Sequence, residues 1–513
     1  MSHLRHSSTP ELVIGLVGPI GVDMNAVQRA LEGALRRVEY TPHTIHLTRE
    51  LPSIFPHLQK EASKTYNEKI SLVNKLRTDT KRADILAMLS ILKICEIRAT
   101  LNKDDPKVSE DQAPSSPIPS NAFIIRQLKR EEEISLLKRI YGRRFVQVSV
   151  TVSEATQLSR VSQIVAAESP GLLFDDQRRS AEGLIQTDQN EDNDDYGQRL
   201  SDTFQYGDVF VNGDSEATLS ADINRFIDGL FGSNFISPTV DEFGSYMAKA
   251  ASLRSIDMSR QVGAAILTEN GDIVSVGCNE VPKSGGGNYW CTDENPQRDM
   301  DRKLEANKLA TSQIIRNFVD TIHKHGSLNT SPEDLMSDPK FQDLIKSSLI
   351  SDITEFGRMT HAEMAALTDA ARLGRSVFGA TIYVTTFPCH NCAKHLVAAG
   401  VKRIVYIEPY PKSRALILHD DALTKDQTRK DFVVLSHFHG ISPRRYRDIF
   451  EKGKRKNKDN TAKAWYEDRP APLVGDRFSA HVLFEPPVLE ELSQIISVLS
   501  ALPANPVAGT DIT

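Results

Sequence analysis

Three side chains of this 513-residue chain have the types and spacing to hold a metal ion: His361, Cys389 and Cys392, the two cysteines standing in Phe387-Pro388-Cys389-His390-Asn391-Cys392. A histidine and two thiolates bind zinc on three sides and leave a fourth position for water, the open arrangement that catalysis requires. Zinc so placed makes hydroxide available near neutral pH. Glu363, two residues after the histidine in Thr360-His361-Ala362-Glu363-Met364, is close enough to carry a proton without binding the metal. A lone Cys-x-x-Cys would equally suit structural zinc or a redox pair, but the histidine, glutamate and proline together point to catalysis. Cys95, Cys278 and Cys291 have no such company and read as packing cysteines.

The order His-x-Glu followed by Pro-Cys-x-x-Cys is the signature of zinc-dependent nucleobase deaminases. Helical patterns from Ala365 to Leu373 and from Cys392 to Ala399 follow the ligands, and a strand from Thr381 to Thr385 separates them. The ligands would then sit at helix N-termini, whose N–H groups and dipoles stabilise thiolate charge.

Elements that must position this site are legible upstream. A helix ending near Ser255 leads to strands Val262 to Leu267 and Ile273 to Cys278, joined by a hairpin turn at Asn270-Gly271. A polar insertion at about 283–356 carries helical periodicity from Asp301 to His323. Before residue 235, strand-like runs at Val13 to Val17, Ala122 to Gln127, Phe145 to Val152 and Asp208 to Asn212 alternate with helical patterns at Met24 to Arg37, Ala83 to Thr100, Glu131 to Tyr141 and Ala217 to Phe231. Such alternation predicts an α/β fold with a parallel sheet. Asn102 to Ser120 and the acidic Asp188 to Asp195 read as exposed loops. The boundaries expected are a first domain at 1–235, a second at 238–480, and a tail at 481–513.

Composition limits the function classes. With 40% hydrophobic and 25% charged residues the chain has the make-up of a globular protein, and its length implies two domains. A net charge of -6 and 7% aromatic residues argue against a polynucleotide partner, which calls for a basic groove and stacking platforms. The apolar run Leu12 to Val17 is too short for a signal sequence or membrane span, so a cytoplasmic protein without membrane contact is expected. Five cysteines make no disulfide framework.

Beyond the zinc residues, Ser259-Arg260-Gln261-Val262-Gly263-Ala264-Ala265 and Val276-Gly277-Cys278-Asn279-Glu280-Val281-Pro282 resemble the deoxycytidylate deaminase branch of the cytidine deaminase superfamily. The resemblance implies an α/β/α deaminase domain and a sugar-holding role for Asn279. With Glu408-Pro409-Tyr410-Pro411-Lys412-Ser413 and Phe438-His439-Gly440-Ile441-Ser442-Pro443-Arg444-Arg445-Tyr446, the whole chain looks similar to the bacterial anti-phage dCTP deaminases, which fuse a P-loop kinase-like domain to the deaminase. That implies conversion of dCTP, and often dCMP, to the uracil nucleotide. It also implies depletion of a precursor of phage DNA, homo-oligomers, and an inhibitory or triggering partner at the N-terminal domain. Glu363 would pass protons to N3 of cytosine and then to the departing amine, releasing ammonia.

Substrate phosphates call for cations, and the candidates are Lys412, Arg414, Arg444, Arg445 and Arg447, ahead of the lysine-rich run Lys452 to Lys458. The glycine loop Gly15-Leu16-Val17-Gly18-Pro19-Ile20-Gly21-Val22-Asp23-Met24-Asn25 departs from a phosphate loop, which needs Gly-Lys-Ser or Gly-Lys-Thr where this chain has Asp23-Met24-Asn25. Backbone amides around Gly15, Gly18 and Gly21 could still hold a phosphate weakly, but phosphoryl transfer is not expected. Three readings compete with a dCTP deaminase: a housekeeping dCMP deaminase supplying thymidylate, a deaminase of single-stranded nucleic acid, and a nucleotide sensor without catalysis. The intact Glu363 argues against the last, because a sensor needs no proton shuttle.

Overall fold

The computed structural model describes residues 9–55, 65–191, 194–353, 355–463, 465, 470–475 and 479–501. The chain forms two units, one made of residues 1–238 and 439–513 and the other of Thr239–Phe438. Strands are numbered along the chain. The first unit contributes β1 (Leu12–Val17), β2 (Thr41–His46), β3 (Asn121–Arg126), β4 (Phe145–Thr151) and β5 (Val209–Asn212). The second contributes β6 (Gly263–Leu267), β7 (Ile273–Cys278), β8 (Thr381–Thr386), β9 (Arg403–Glu408), β10 (Leu423–Thr424) and β11 (Val433–His437), after which β12 (Gly440–Ile441) rejoins the first. Each unit is a mixed α/β layer around one sheet rich in parallel strands.

In the first unit the order is β12-β5-β4-β1-β3-β2, parallel throughout except for β12. Every residue of β1 and β3 is buried, as expected of central parallel strands covered on both faces. Alternation divides them between two cores: Val13, Val17, Phe123 and Ile125 face one layer of helices, and Leu12, Ile14, Leu16, Ala122 and Ile124 face the other. Residues 439–501, expected partly in the second domain and partly in a tail, belong here, and Glu485–Ala501 is a helix packed on Ile85–Asn102.

An ion cluster fixes that helix. Arg98, wholly buried, donates to Glu11 (3.0 and 2.9 Å) and to Glu485 (2.6 and 3.0 Å). Burial pushes the Glu11 carboxyl up, but the Arg98 charge and hydrogen bonds from His481 and Arg98 outweigh it and hold the group at about 2. Because this folded-state value lies below the ordinary 4.5, the pairing contributes its full stability above that pH and loses it as pH falls towards 2. Arg98→Ala, which strands two buried carboxylates, should cost about 3–5 kcal/mol at neutral pH in urea denaturation. The deficit relative to wild type should shrink in the same measurement as pH is lowered through that window.

The stretches read as exposed loops are partly built in. Asp188 is buried on Lys129 (2.8 Å), and Asn102, at the start of the other stretch, caps the carbonyls of Ala113 and Ser116. Local acidity cannot reveal a distant cation.

In the second unit the order is β10-β11-β9-β8-β6-β7, with β6 antiparallel to both its neighbours and the rest parallel. Helix Val240–Ser252, opened by a Thr239/Glu242 capping box, lies on one face, where Asp241 accepts from Tyr383 (2.8 Å) and Arg403 (2.9 Å). Helices Ala362–Arg372 and His390–Ala398 pack near β6 to β8 through small side chains, Ala362, Ala366, Ala370 and Ala393. The insertion folds into helices Asp299–Arg302, Ala306–Lys324, Pro332–Ser337 and Pro339–Ser347. Among the described residues no helix is long and apolar enough to cross a membrane.

Candidate active site

His361 and Cys389 are the N-caps of the two helices, with extended backbone and their side chains on the helix entrances. Nδ1 of His361 lies 3.4 Å from the sulfur of Cys389 and 3.4 Å from that of Cys392. Zinc bonded to one nitrogen and one sulfur at a tetrahedral angle would separate them by about 3.5 Å. The donor set therefore fits zinc in both chemistry and span, and its three ligand atoms all lie within 4.8 Å of one another.

The sulfurs are electrostatically inequivalent. A hydrogen bond from the Cys392 thiol brings Cys389 down to about 4 against the opposing effect of burial, with further help from His361 and the Cys392 N–H. Cys392, as the donor and buried, is held well above the ordinary thiol range. Hydrogen bonding to Cys389 raises His361 to about 9 despite burial. A cation placed among the three would take over from the shared protons, which is the behaviour of a metal site.

Glu363 is 4% exposed, in the first turn after His361, and burial pushes its carboxyl up. It shares with His361 and Cys389 a cavity of about 520 Å³. Its lining includes Arg260, Tyr410, Lys412 and Arg414, and also the carboxylates Asp257, Asp299, Glu305 and Glu355. Asp257 accepts from the amides of Ser259 (2.6 Å) and Arg260 (3.2 Å), and the Asn279 amide accepts from Val262 N (2.8 Å) and donates to the Arg260 carbonyl (2.9 Å). The loop carrying Arg260 is thus held from both sides, and the guanidinium lies 5.6 Å over the Tyr410 ring. Ser413 ties the next basic loop to the carbonyl of Pro388 (2.7 Å), beside the metal ligands. Glu305, Asn307, Leu349, Ile353 and Glu355, all from the insertion, line another part of the cavity.

Of the substrate candidates, Asn279, Lys412 and Arg414 line this cavity. Arg444 and Arg445 do not: both fall in the first unit. Arg445 is a structural residue there, 5% exposed, donating to Asp208 (3.0 Å) and to the carbonyls of Arg143 (2.9 Å) and Phe145 (2.8 Å). Arg444 lies over the Tyr206 ring. Cys95 and Cys278 are buried as expected, whereas Cys291 is exposed. Nothing in the sequence marks Arg260 as a phosphate candidate; only the fold, which lays its guanidinium over Tyr410, shows it beside the 410–414 loop.

The glycine loop is also not an open cradle. Gly15 is inside β1, where an added β-carbon would run into Phe145 and Leu128. The Gly18 carbonyl accepts from Lys129 Nζ (2.7 Å), and the Asp188 carboxylate takes the amide of Ile20 (2.7 Å). Asp23 caps the helix that follows through the amides of Asn25 and Ala26 (3.0 Å each). The chain's own carboxylates therefore already hold three amides of this loop and helix entrance.

Helix Ala362–Arg372 is seated on β7 at Gly277, where a β-carbon would overlap the backbone of Ala362 and Ala366. Ser275 adds a hydrogen bond to the Ala366 carbonyl (2.7 Å). Gly277→Ala must push the helix outward, so it should lower zinc content and turnover together while leaving urea unfolding of the first unit in place.

Residues 239–408 match the family model of the cytidine and deoxycytidylate deaminase zinc-binding region. The deoxycytidylate deaminase of Enterobacteria phage T2 is 50% identical over 54 residues, 10% of this chain and 29% of that protein. The human deoxycytidylate deaminase is 23% identical over 166 residues, 32% of this chain and 63% of that protein. The chain thus spans less than two thirds of the length of these relatives. A crystal structure of the dCMP deaminase from cyanophage S-TIM5 with dCMP and dUMP aligns with 39% of this chain and 98% of its own, at 19% identity and a TM-score of 0.23. The second unit carries a deaminase-type zinc-binding region.

Proposed function

We propose that this chain hydrolyses the 4-amino group of cytosine in free deoxycytidine nucleotides, dCTP and also dCMP, giving the uracil nucleotide and ammonia. The observation that carries the reading is the joining in one cavity of the His361/Cys389/Cys392 donor set, the buried Glu363 and the cations Arg260, Lys412 and Arg414. His361, Cys389 and Cys392 would hold zinc, which when bound would lower the pKa of a water ligand. Glu363 would take one proton from the attacking water and deliver it to N3 as the oxygen bonds to C4, then take the second from the new C4 hydroxyl and deliver it to the amine as the C4–N bond breaks and ammonia leaves. Burial favours this shuttle, since a carboxyl held above its ordinary range gives up and regains a proton more readily near neutral pH. Asn279 keeps one N–H and one lone pair beyond its two backbone bonds, enough to hold a sugar hydroxyl.

The cations give the preference for a nucleotide over a nucleoside. Arg260→Ala should raise KM for dCTP by about tenfold or more and change deoxycytidine turnover little. Ammonia release by the purified chain with dCTP, dCMP, CTP, deoxycytidine and single-stranded DNA in parallel tests the reading. Turnover of the DNA but of no free nucleotide would replace it. Resemblance of the whole chain to anti-phage dCTP deaminases supports depletion of deoxycytidine nucleotides as the biological act, testable by nucleotide pools in infected cells carrying the active and the Glu363→Ala chains.

A further inference from the structure

The first unit buries a guanidinium without a carboxylate. Arg126, at the end of β3, is 8% exposed and has no ion pair among the described residues. By contrast Arg77, Arg98, Arg130 and Arg445 of the same unit each pair with Asp or Glu. A buried unpaired charge is expensive, so its retention calls for a counter-ion.

Geometry shows where one would sit. Nη1 of Arg126 is fixed by Asn25 Oδ1 and Gln28 Oε1, both at 2.9 Å, on the first turns of helix Met24–Arg37. Nε is buried with no partner, and no bond to Nη2 occurs among the described residues. These two nitrogens form the side-on edge of a guanidinium, the edge that Arg98 turns to Glu11 and that pairs with carboxylate or phosphate through two parallel bonds. His46 is the register neighbour of Arg126 across β2 and β3. Burial, Arg126 and Arg49 together bring His46 down to about 4, which reports how much positive potential already gathers there.

The surroundings are held in place at some cost. Gln127, next after Arg126, has a φ of 73°, a left-handed conformation that a non-glycine residue adopts rarely. Its side chain accepts from Thr48 (2.8 Å), whose hydroxyl also lies 3.3 Å from His46 Nδ1. Of the nearby carboxylates, Asp23 caps the helix amides through Oδ1 and its charge acts on Arg126 from beyond ion-pair distance, while Glu50 pairs with Lys93 (3.1 Å). The carboxyl edge of a parallel sheet is where α/β folds bind ligands.

We propose that the first unit binds a phosphate group at the carboxyl edge of β2 and β3, at Nη2 of Arg126, with Arg49 as the second cation. This places phosphate binding beside the glycine loop and not in it, since Asp188 and Lys129 already fill the loop's polar groups. The phosphate belongs either to a free anion or to a nucleotide.

Hydrogen exchange of the full chain, read by mass spectrometry over residues 44–50 and 124–130 with and without pyrophosphate, tests the site locally. Slowed exchange in both segments, absent from Arg126→Gln and needing about tenfold more pyrophosphate in Arg49→Gln, is the expected result. Arg49 is exposed and makes no hydrogen bond or ion pair among the described residues, so its variant keeps the test sound if Arg126→Gln fails to fold. Unchanged exchange, or slowing confined to residues 16–25 or to 258–262 and 410–414, overturns the proposal. With dCTP in place of pyrophosphate, slowing at lower concentration assigns the phosphate to a nucleotide and slowing only at higher concentration assigns it to the free anion. Deoxycytidine acting as well as dCTP would refute a phosphate site.

Discussion

Glu363→Gln is expected to bind zinc at the wild-type level and to lose turnover by roughly 10²–10⁴-fold, the range that a positioned proton carrier supplies. The glutamine is nearly isosteric, so the 4%-exposed pocket beside Cys389 and Cys392 stays filled and the metal ligands keep their places. What is lost is a group that both accepts and donates a proton. Substrate binding should be affected far less than kcat, because the cations Arg260, Lys412 and Arg414 do not involve this residue. Zinc content by atomic absorption, KM and kcat on one preparation decide it. A variant with full zinc and full turnover would remove Glu363 from the mechanism and with it the proposed chemistry.

How far the sequence reaches depends on whether an interaction is local. His361, Glu363, Cys389 and Cys392 lie within 32 residues and at the starts of two helices, so spacing alone brings them into one motif. Strand β1 and the centre of β3, Ala122–Ile125, are apolar runs and are read without difficulty. β2 is not, since Thr-Pro-His-Thr-Ile-His has one buried residue and a proline, a composition an edge strand tolerates and a periodicity search passes over. Helices Tyr66–Thr80 and Glu154–Glu168 have their apolar positions interrupted by buried polar groups such as Asn74, Arg77 and Gln157, whose partners are far along the chain. Charge was the least legible property. Arg445 stood next to Arg444 in a basic motif and turned out to be buried on Asp208, 237 residues away, while Asp188 in an acidic run closes on Lys129. A sequence shows where charges are, and only the fold shows which of them remain for a ligand.

Cys389→Ala is expected to lose zinc and turnover together. The Cys389 sulfur is a proposed zinc ligand and the acceptor for the Cys392 amide (3.4 Å), and hydrogen bonds from Cys392 and His361 draw its thiol down to about 4. Removing it leaves a histidine and one cysteine, one ligand too few for the site. Zinc affinity should fall by more than the roughly 10–100-fold that accompanies loss of an outer-shell partner, so the purified variant should carry almost no zinc and show no deamination. The helix His390–Ala398 keeps its packing through Ala393 and Leu396, both fully buried, and the sheet of the second unit should survive with a lowered melting temperature. Chelation of the wild-type chain should reproduce that temperature and that loss of turnover, and added zinc should reverse both in the wild type only. If Cys389→Ala instead retained zinc and activity, the ion would be held elsewhere, and the 3.4 Å convergence of His361 with the two sulfurs would be a packing feature of the two helix entrances.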